Sequence, residues 1–237
     1  IVSSRSAAQN QALSMSKIVA GRNFCNKLWN VSRFTLDKLG GNFVPANTVQ
    51  ALSIADHWII SELDAALQEV SKHLKAYRFA EATEIVYHVI WDDVADWYIE
   101  ASKVTDNPDL LAWVLESCLK LAHPFAPFVT ETIWQTLPWT DSLLIREQWP
   151  LIPQYDTIPA GAFTRIQELV GESRYVISEL PGNKRYAMLF QNDSLIEENA
   201  PLIKHLARLS DIAHVDQPRG LRLAASNREA WQQLVNT

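Results

Sequence analysis

The run Gly21-Arg22-Asn23-Phe24-Cys25-Asn26-Lys27-Leu28-Trp29-Asn30-Val31-Ser32-Arg33-Phe34 crowds amides, cations and aromatic rings into one short segment. At about 100° per residue on a helix, Ile18, Gly21, Cys25, Leu28, Ser32, Leu36 and Leu39 share one arc, which must face a core. The opposite arc holds Arg22, Asn23, Asn26, Lys27, Asn30, Arg33 and Phe34. Three asparagines on an exposed helix face are poor choices for helix stability. They are good choices for hydrogen bonding to base edges, because an amide both donates and accepts. A ring beside lysine and arginine is the combination that an unpaired RNA loop requires, one to stack a base and the others to meet phosphates. A second reading fits the same residues: Phe34 packs under the Gly40-Gly41 loop and the asparagines cap neighbouring turns.

Other constellations are weaker. Glu84, His88, Asp92, Asp96 and Glu100 recur at every fourth residue, a pattern that could hold a metal inside a bundle. Steps of four drift by roughly 40° each on an α-helix, so the five side chains cannot converge on one point. No other helix supplies a Glu-x-x-His motif, and solvated or capping roles are expected. Asp96, an acid between large apolar neighbours, is the exception that could bond to another helix. His123, before Pro124, reads as a helix-end or core histidine. No Gly-rich phosphate loop and no Ser/His/Asp set with a plausible context is present. No metal or cofactor site is therefore expected.

The elements that must position these groups are mostly helical. Hydrophobic residues make up 48% of the chain and charged residues 20%, enough apolar material for a proper core. Seven glycines in 237 residues argue against a turn-rich β-sandwich. Cys25 and Cys118 lack metal-ligand spacing and read as buried thiols of a reducing, cytoplasmic compartment. No run approaches a membrane span, and Ile1-Val2-Ser3-Ser4 reads as the interior of a longer chain. The net charge of −6 hides an asymmetry. Residues 1–40 carry Arg5, Lys17, Arg22, Lys27, Arg33 and Lys38 against the single acid Asp37, whereas residues 41–150 hold six basic and sixteen acidic side chains. One basic helix on an acidic body suits a protein that reads one localised stretch of polyanion, and equally a helix whose charges merely solvate it.

Periodicity predicts helices from near Leu13 to Leu39, from Asn47 or Thr48 to about Leu74, and from about Arg78 to Ser102. The second carries the stripe Leu52, Ala55, Ile59, Leu63, Ala66, Leu67 and Val70; the third carries Phe79, Ala82, Val86, Ile90, Val94 and Trp97. A fourth follows Asp106-Asn107-Pro108, and a fifth runs from Pro124 or Pro127 to Leu137 with Phe128, Ile133 and Trp134 inward. The proline-rich stretch 138–159 is expected to wrap over the bundle and bury Trp139, Ile145 and Trp149. A small α/β unit follows, with helices at Ala160–Leu180 and Asp193–Leu209, strands at Arg185–Gln191, Ile212–Asp216 and Leu221–Ala225, and a final helical start at Asn227–Val235. The fold class is mainly α, an antiparallel helix bundle followed by a small α/β unit. The expected units are 1–150, the bundle with its wrapped linker, and 151–237.

Gly21–Phe34 resembles the helix that follows the catalytic domain in valine–tRNA ligases, where a motif close to YRNFANKLWNASRF recurs. This chain has Gly21 before Arg22 where tyrosine is common, and Cys25 in place of alanine. Arg78-Phe79 with Trp91-Asp92-Asp93-Val94-Ala95-Asp96-Trp97-Tyr98-Ile99-Glu100, and His123-Pro124-Phe125-Ala126-Pro127-Phe128-Val129-Thr130-Glu131-Thr132-Ile133-Trp134, resemble stretches shared by the class Ia ligases for valine, isoleucine and leucine. Leu180-Pro181-Gly182-Asn183-Lys184 is similar to a Pro-Pro-Gly-Lys turn of the valine enzymes. The helix motif is what points to valine.

The resemblance implies a helical anticodon-binding module whose partner is a valine tRNA, held through its anticodon loop. It implies that Lys27 and Phe34 contribute to reading the anticodon; Asn30 lies between them, and Asn23, Asn26, Arg22 and Arg33 are neighbours on the helical wheel. ATP and Mg belong to the parent's catalytic domain, which joins valine to tRNA. Met15-Ser16-Lys17 echoes the Lys-Met-Ser-Lys-Ser signature of that domain, but it runs straight into a helix, and the His-Ile-Gly-His signature is absent. The segment is thus expected to be non-catalytic, monomeric, free of membrane, joined to the catalytic domain, and to end before any coiled-coil arm. The alternatives are the same module from an isoleucine or leucine enzyme, or a helical protein-interaction scaffold.

Overall fold

In a computed structural model, residues 14–180, 184–224 and 228–235 are described. Leu13, the Pro181-Gly182-Asn183 turn, Ala225 and Asn227, all named above, lie outside the described residues. The helices are α1 Met15–Leu39, α2 Ile54–Lys75, α3 Phe79–His88, α4 Ile99–Ala101, α5 Pro108–Ala122, α6 Pro127–Trp134 and α7 Thr157–Glu179. A π-helical segment, Val89–Tyr98, joins α3 to α4 without a break.

Side-chain caps start α1, α2, α5 and α7. Ser14 accepts from the Lys17 amide, and Gly40, at φ 76°, closes α1 in a conformation that suits glycine. Asn107 accepts from the Leu110 amide, with Pro108 in the first turn of α5. Helix α2 begins six residues later than expected, at Ile54 rather than near Thr48. The cause is a reciprocal capping box in which Ser53 and Asp56 satisfy one another's backbone amides. Residues 40–53 cross the bundle as an extended loop, pinned by the Ala46 amide on Asp109 (2.8 Å) and by Asn107 on the Gln50 carbonyl (2.9 Å).

Asp56 is fully buried and completely used. Its Oδ2 accepts from the Leu52 and Ser53 amides (3.0 Å each) and from Asn107 Nδ2 (2.9 Å), while Oδ1 accepts from the Tyr98 hydroxyl (3.1 Å). One carboxylate thus ties α2, the π segment and α5 together, and unmaking any of these bonds would strand a buried polar group. Burial, and then the neighbouring carboxylate, pushes the Tyr98 phenol well above its ordinary value.

The α2 stripe packs as its periodicity requires: Ala55, Ile59, Leu63, Ala66, Leu67 and Val70 are all buried, whereas Leu52 lies outside the helix and is exposed. Phe79 and Phe128 are likewise exposed, the latter at 88%, so they are not part of the expected inward stripes. Helix α6 stops at Trp134, and His123, at the end of α5, meets Thr130 through its Nδ1 (2.9 Å). Burial raises the Cys118 thiol to about 12, leaving it inert, while Cys25 is only half-buried.

The 138–159 linker does lie on the bundle. Trp113 Nε1 donates to the Leu151 carbonyl (3.1 Å), and the Tyr155 hydroxyl reaches Asp64 (3.0 Å). Trp139 is half-buried and donates to Glu116 (2.8 Å), but Ile145 and Trp149 remain exposed. Helix α7 lies along α2, with Phe163 buried against Trp58 (4.8 Å between ring centroids) and edge-on to Trp97 (6.4 Å). The first helix beyond residue 150 therefore shares the bundle's core.

The tail is a four-stranded sheet of order β2-β1-β4-β3, built from β1 Tyr186–Phe190, β2 Asp211–His214, β3 Leu221–Arg222 and β4 Ala230–Leu234. Strands β1 and β2 are parallel and joined through α8 Ser194–Glu198 and α9 Ala200–Ala207, two helices where one was expected; the other pairs are antiparallel. Strand β4 replaces the expected terminal helix. Its Ala-Trp-Gln-Gln-Leu sequence has helical propensity, but pairing with β1 and burial of Ala230 and Gln232 override it. Gln232 reaches α7 through Ser173 Oγ (2.8 Å).

Candidate nucleic-acid interface

Helix α1 buries Leu28, Val31, Ser32 and Thr35, with Phe24, Leu36 and Leu39 at the margins. Its inward side is turned roughly 60° from the arc drawn on the sequence. Ile18 and Gly21, expected inside, are exposed; Lys27 and Phe34, expected outside, are half-buried. The reason is that α1 packs against the π segment, α5 and α6 with its β-branched side. The long Lys27 and the Phe34 ring then lie at the flank, where they cover apolar surface.

Lys27 Nζ sits 2.6 Å from Asp96 Oδ1 and 4.9 Å from the centroid of the Trp91 ring. Trp91 and Asp96 are five residues apart, one turn of a π-helix, which is why one ammonium meets both. On an α-helix that spacing would separate them by about 140°. Asp96 thereby bonds to another helix, as its surroundings suggested. The aromatic row continues from Trp91 to Tyr87 (5.4 Å, stacked) and from Tyr87 to Phe24 (5.6 Å, stacked). Phe34 has Lys103 Nζ 5.6 Å from its ring centre, and Lys38 donates to the carbonyls of Ser102 and Thr105.

Arg22, Asn23, Asn26, Asn30 and Arg33 stay on the open side, and among the described residues none of these side chains has a hydrogen bond or ion pair. Of the seven predicted contact residues, five are thus presented to solvent and two are engaged at the flank. Trp29, absent from that prediction, joins the open side at 45% exposure. An indole set between Arg22, Asn26 and Arg33 at helical spacing was the available signal. Met15-Ser16-Lys17 forms the first turn of α1.

A second cluster lies between α2 and α3, where Glu62, Glu69, His73, Glu81, Glu84, His88 and Asp93 line one cleft. Burial, then the charges of Glu62 and Asp92, raise the Asp93 carboxyl to about 7 against the opposing pull of His88; burial also raises Glu62. The repeat of five does not converge on one point: His88 and Asp92 pair with each other (2.7 Å), while Asp96 bonds to Lys27, and Glu100 to Lys103 (2.6 Å) and His205 (3.3 Å). Among the described residues no three His, Cys, Asp or Glu side chains are grouped to hold a metal ion, and no helix is long and apolar enough to cross a membrane.

Residues 56–185 match the family described as the anticodon-binding domain of tRNA ligase. The chain is 33% identical over 223 residues to a valine–tRNA ligase of Petrotoga mobilis, covering 86% of this chain and 26% of that protein. It is 35% identical over 210 residues to the valine–tRNA ligase of Thermotoga maritima, covering 84% and 24%. For that of Bacillus subtilis the identity is 35% over 188 residues, covering 74% and 21%. The chain therefore spans about a quarter of the length of the curated relatives it matches.

Proposed function

The chain belongs to the anticodon-binding domain family of tRNA ligases, and from that premise we propose that it holds the anticodon loop of a valine tRNA. Its parent would be a cytoplasmic, monomeric ligase that joins valine to that tRNA with ATP and Mg in a separate catalytic domain, leaving this segment no chemistry of its own. The valine assignment draws on the similarity to valine–tRNA ligases and on the Asn26-Lys27-Leu28-Trp29-Asn30 motif.

The observation that carries the reading is the open side of α1, where Arg22, Asn23, Asn26, Asn30 and Arg33 have no partner among the described residues. Groups without an internal partner have all their hydrogen bonds left for a ligand, and the Lys27 ammonium, with three donors, keeps some beyond its bond to Asp96. In the proposal, Arg22 and Arg33 meet phosphates, Asn23, Asn26 and Asn30 meet base edges, and Phe34 offers its ring. Lys27, held at a defined position by Asp96 and Trp91, donates to a base of the loop.

The test is a titration of the 237-residue chain with a hairpin carrying the valine anticodon loop and with anticodon-changed hairpins, at several salt concentrations. Loss of at least tenfold in affinity is expected for the changed anticodons, for Lys27→Ala and for Phe34→Ala. Equal binding of all hairpins, or indifference to both substitutions, would sink the reading. Preference for an isoleucine or leucine hairpin would reassign the parent.

A further inference from the structure

Arg22, Asn26, Trp29 and Arg33 follow one another at steps of four, three and four residues, so they form a single stripe along the open side of α1. The stripe covers three turns, about 16 Å at the rise of an α-helix. All four side chains are exposed. Lys27 and Phe34 lie on the other margin of the helix, against Asp96, Trp91 and Lys103.

Trp29 is 45% exposed. Among the described residues no ring touches it, no cation lies over it, and its indole N–H has no acceptor. The contrast with its neighbours is informative, since Phe24, Tyr87 and Trp91 stack on one another and Lys27 covers Trp91. Among the described residues both guanidiniums of the stripe also lack an acidic partner, in a chain whose residues 41–150 carry sixteen acids. A single exposed tryptophan is unremarkable by itself. An indole one or two turns from each of two unpaired guanidiniums, on the helix with the chain's basic surplus, is the pattern that receives an unpaired base between two phosphates.

We infer that Trp29 is a stacking platform for an unpaired base of the RNA loop, with Arg22 and Arg33 holding the phosphates on either side and Asn26 bonding to the stacked nucleotide. This is a second line of contact beside Lys27, Asn30 and Phe34, and it rests on the anticodon-loop reading. The occupant is single-stranded: a paired stem offers phosphates to the arginines but no free base face to the indole.

The test uses the full chain, with a hairpin carrying 2-aminopurine in its loop and a fully paired duplex of equal length. Trp29→Ala is expected to weaken hairpin binding at least tenfold and abolish the quenching of 2-aminopurine, while Trp29→Phe keeps affinity within about threefold. Duplex binding should be unchanged by either. Arg22→Gln with Arg33→Gln should flatten the slope of log affinity against log salt by about 1.4. If Trp29→Ala binds the hairpin as tightly as the unaltered chain while Phe34→Ala and anticodon changes weaken it, the inference fails and the loop reading stands. If neither Trp29 nor Phe34 nor the anticodon matters, both fail. Equal losses on hairpin and duplex, or equal losses for the alanine and phenylalanine variants, would overturn stacking.

Discussion

The open side of α1 and the cleft between α2 and α3 are opposite solutions to placing polar groups on one bundle. On the open side of α1, Arg22, Asn23, Asn26, Asn30 and Arg33 have no partner among the described residues, and the cost is the weak helix propensity of the asparagines. In the cleft, carboxylates crowd together, and their cost is electrostatic, visible in Asp93 raised to about 7 by burial, Glu62 and Asp92. In the proposed reading, the acidic surplus of residues 41–150 repels a polyanion while the open side of α1 attracts it, so the two regions together would favour RNA on one face. On that reading, the first region gives up stability for contact and the second gives it up for exclusion.

Reversing the charge of α1 breaks this comparison most severely. Arg22→Glu with Arg33→Glu should weaken hairpin binding by at least a hundredfold at about 0.1 M salt, whereas Glu62→Gln with Glu69→Gln should change it by less than about threefold. Fluorescence anisotropy in parallel titrations separates the two; comparable effects would mean that net charge, rather than its placement, governs binding.

The cleft's own cost should appear in stability. In the folded chain Asp93 keeps a proton that the unfolded chain has released, so its contribution favours folding at low pH and is lost as pH rises from about 4 to 7. Asp93→Asn should therefore stabilise the chain by about 1–2 kcal/mol at pH 8, a value discounted for solvent screening, and by almost nothing at pH 4. Urea unfolding at the two values checks the sign. A pH-independent effect would detach it from ionisation.

A smaller effect concerns the flank between the regions. Asp96→Asn removes the ion pair to Lys27 and one negative charge near the RNA face, and should raise hairpin affinity about threefold in low salt, the gain vanishing at high salt. A loss instead would show that Asp96 matters through the position it gives Lys27. Smallest of all, Asn26→Ala should stabilise the helix by about 0.5 kcal/mol, the propensity difference, while weakening binding. Circular dichroism melts together with one titration show whether that trade exists at a single residue.

Much of this arrangement was legible in the sequence, for identifiable reasons. The α2 stripe and the starts of α1 and α5 could be read because periodicity and capping are local, and caps such as Asn107-Pro108 announce themselves. The residue types on the open side of α1 were equally plain. What could not be read depends on partners distant in sequence. The rotation of α1, which draws Lys27 and Phe34 half inside, follows from where the π segment, α5 and α6 sit. Strand β4 exists because β1 has an open edge. Ser53 caps α2, rather than Thr48, because Asp56 is also required by Asn107 and Tyr98.

The π winding of Val89–Tyr98 gives the Lys27 contact an unusual vulnerability. Trp91 and Asp96 reach the same ammonium because of how many residues separate them, not only because of what they are. Deleting one residue between them and restoring α-helical winding would bring the two into an i, i+4 relation, but would shift everything downstream by one position. Tyr98 would lose its register with Asp56, and Trp97 its place beside Phe163. This stretch should accept many conservative replacements and very few gaps. Its information is carried as a count of residues, which a helical wheel drawn at constant pitch cannot display.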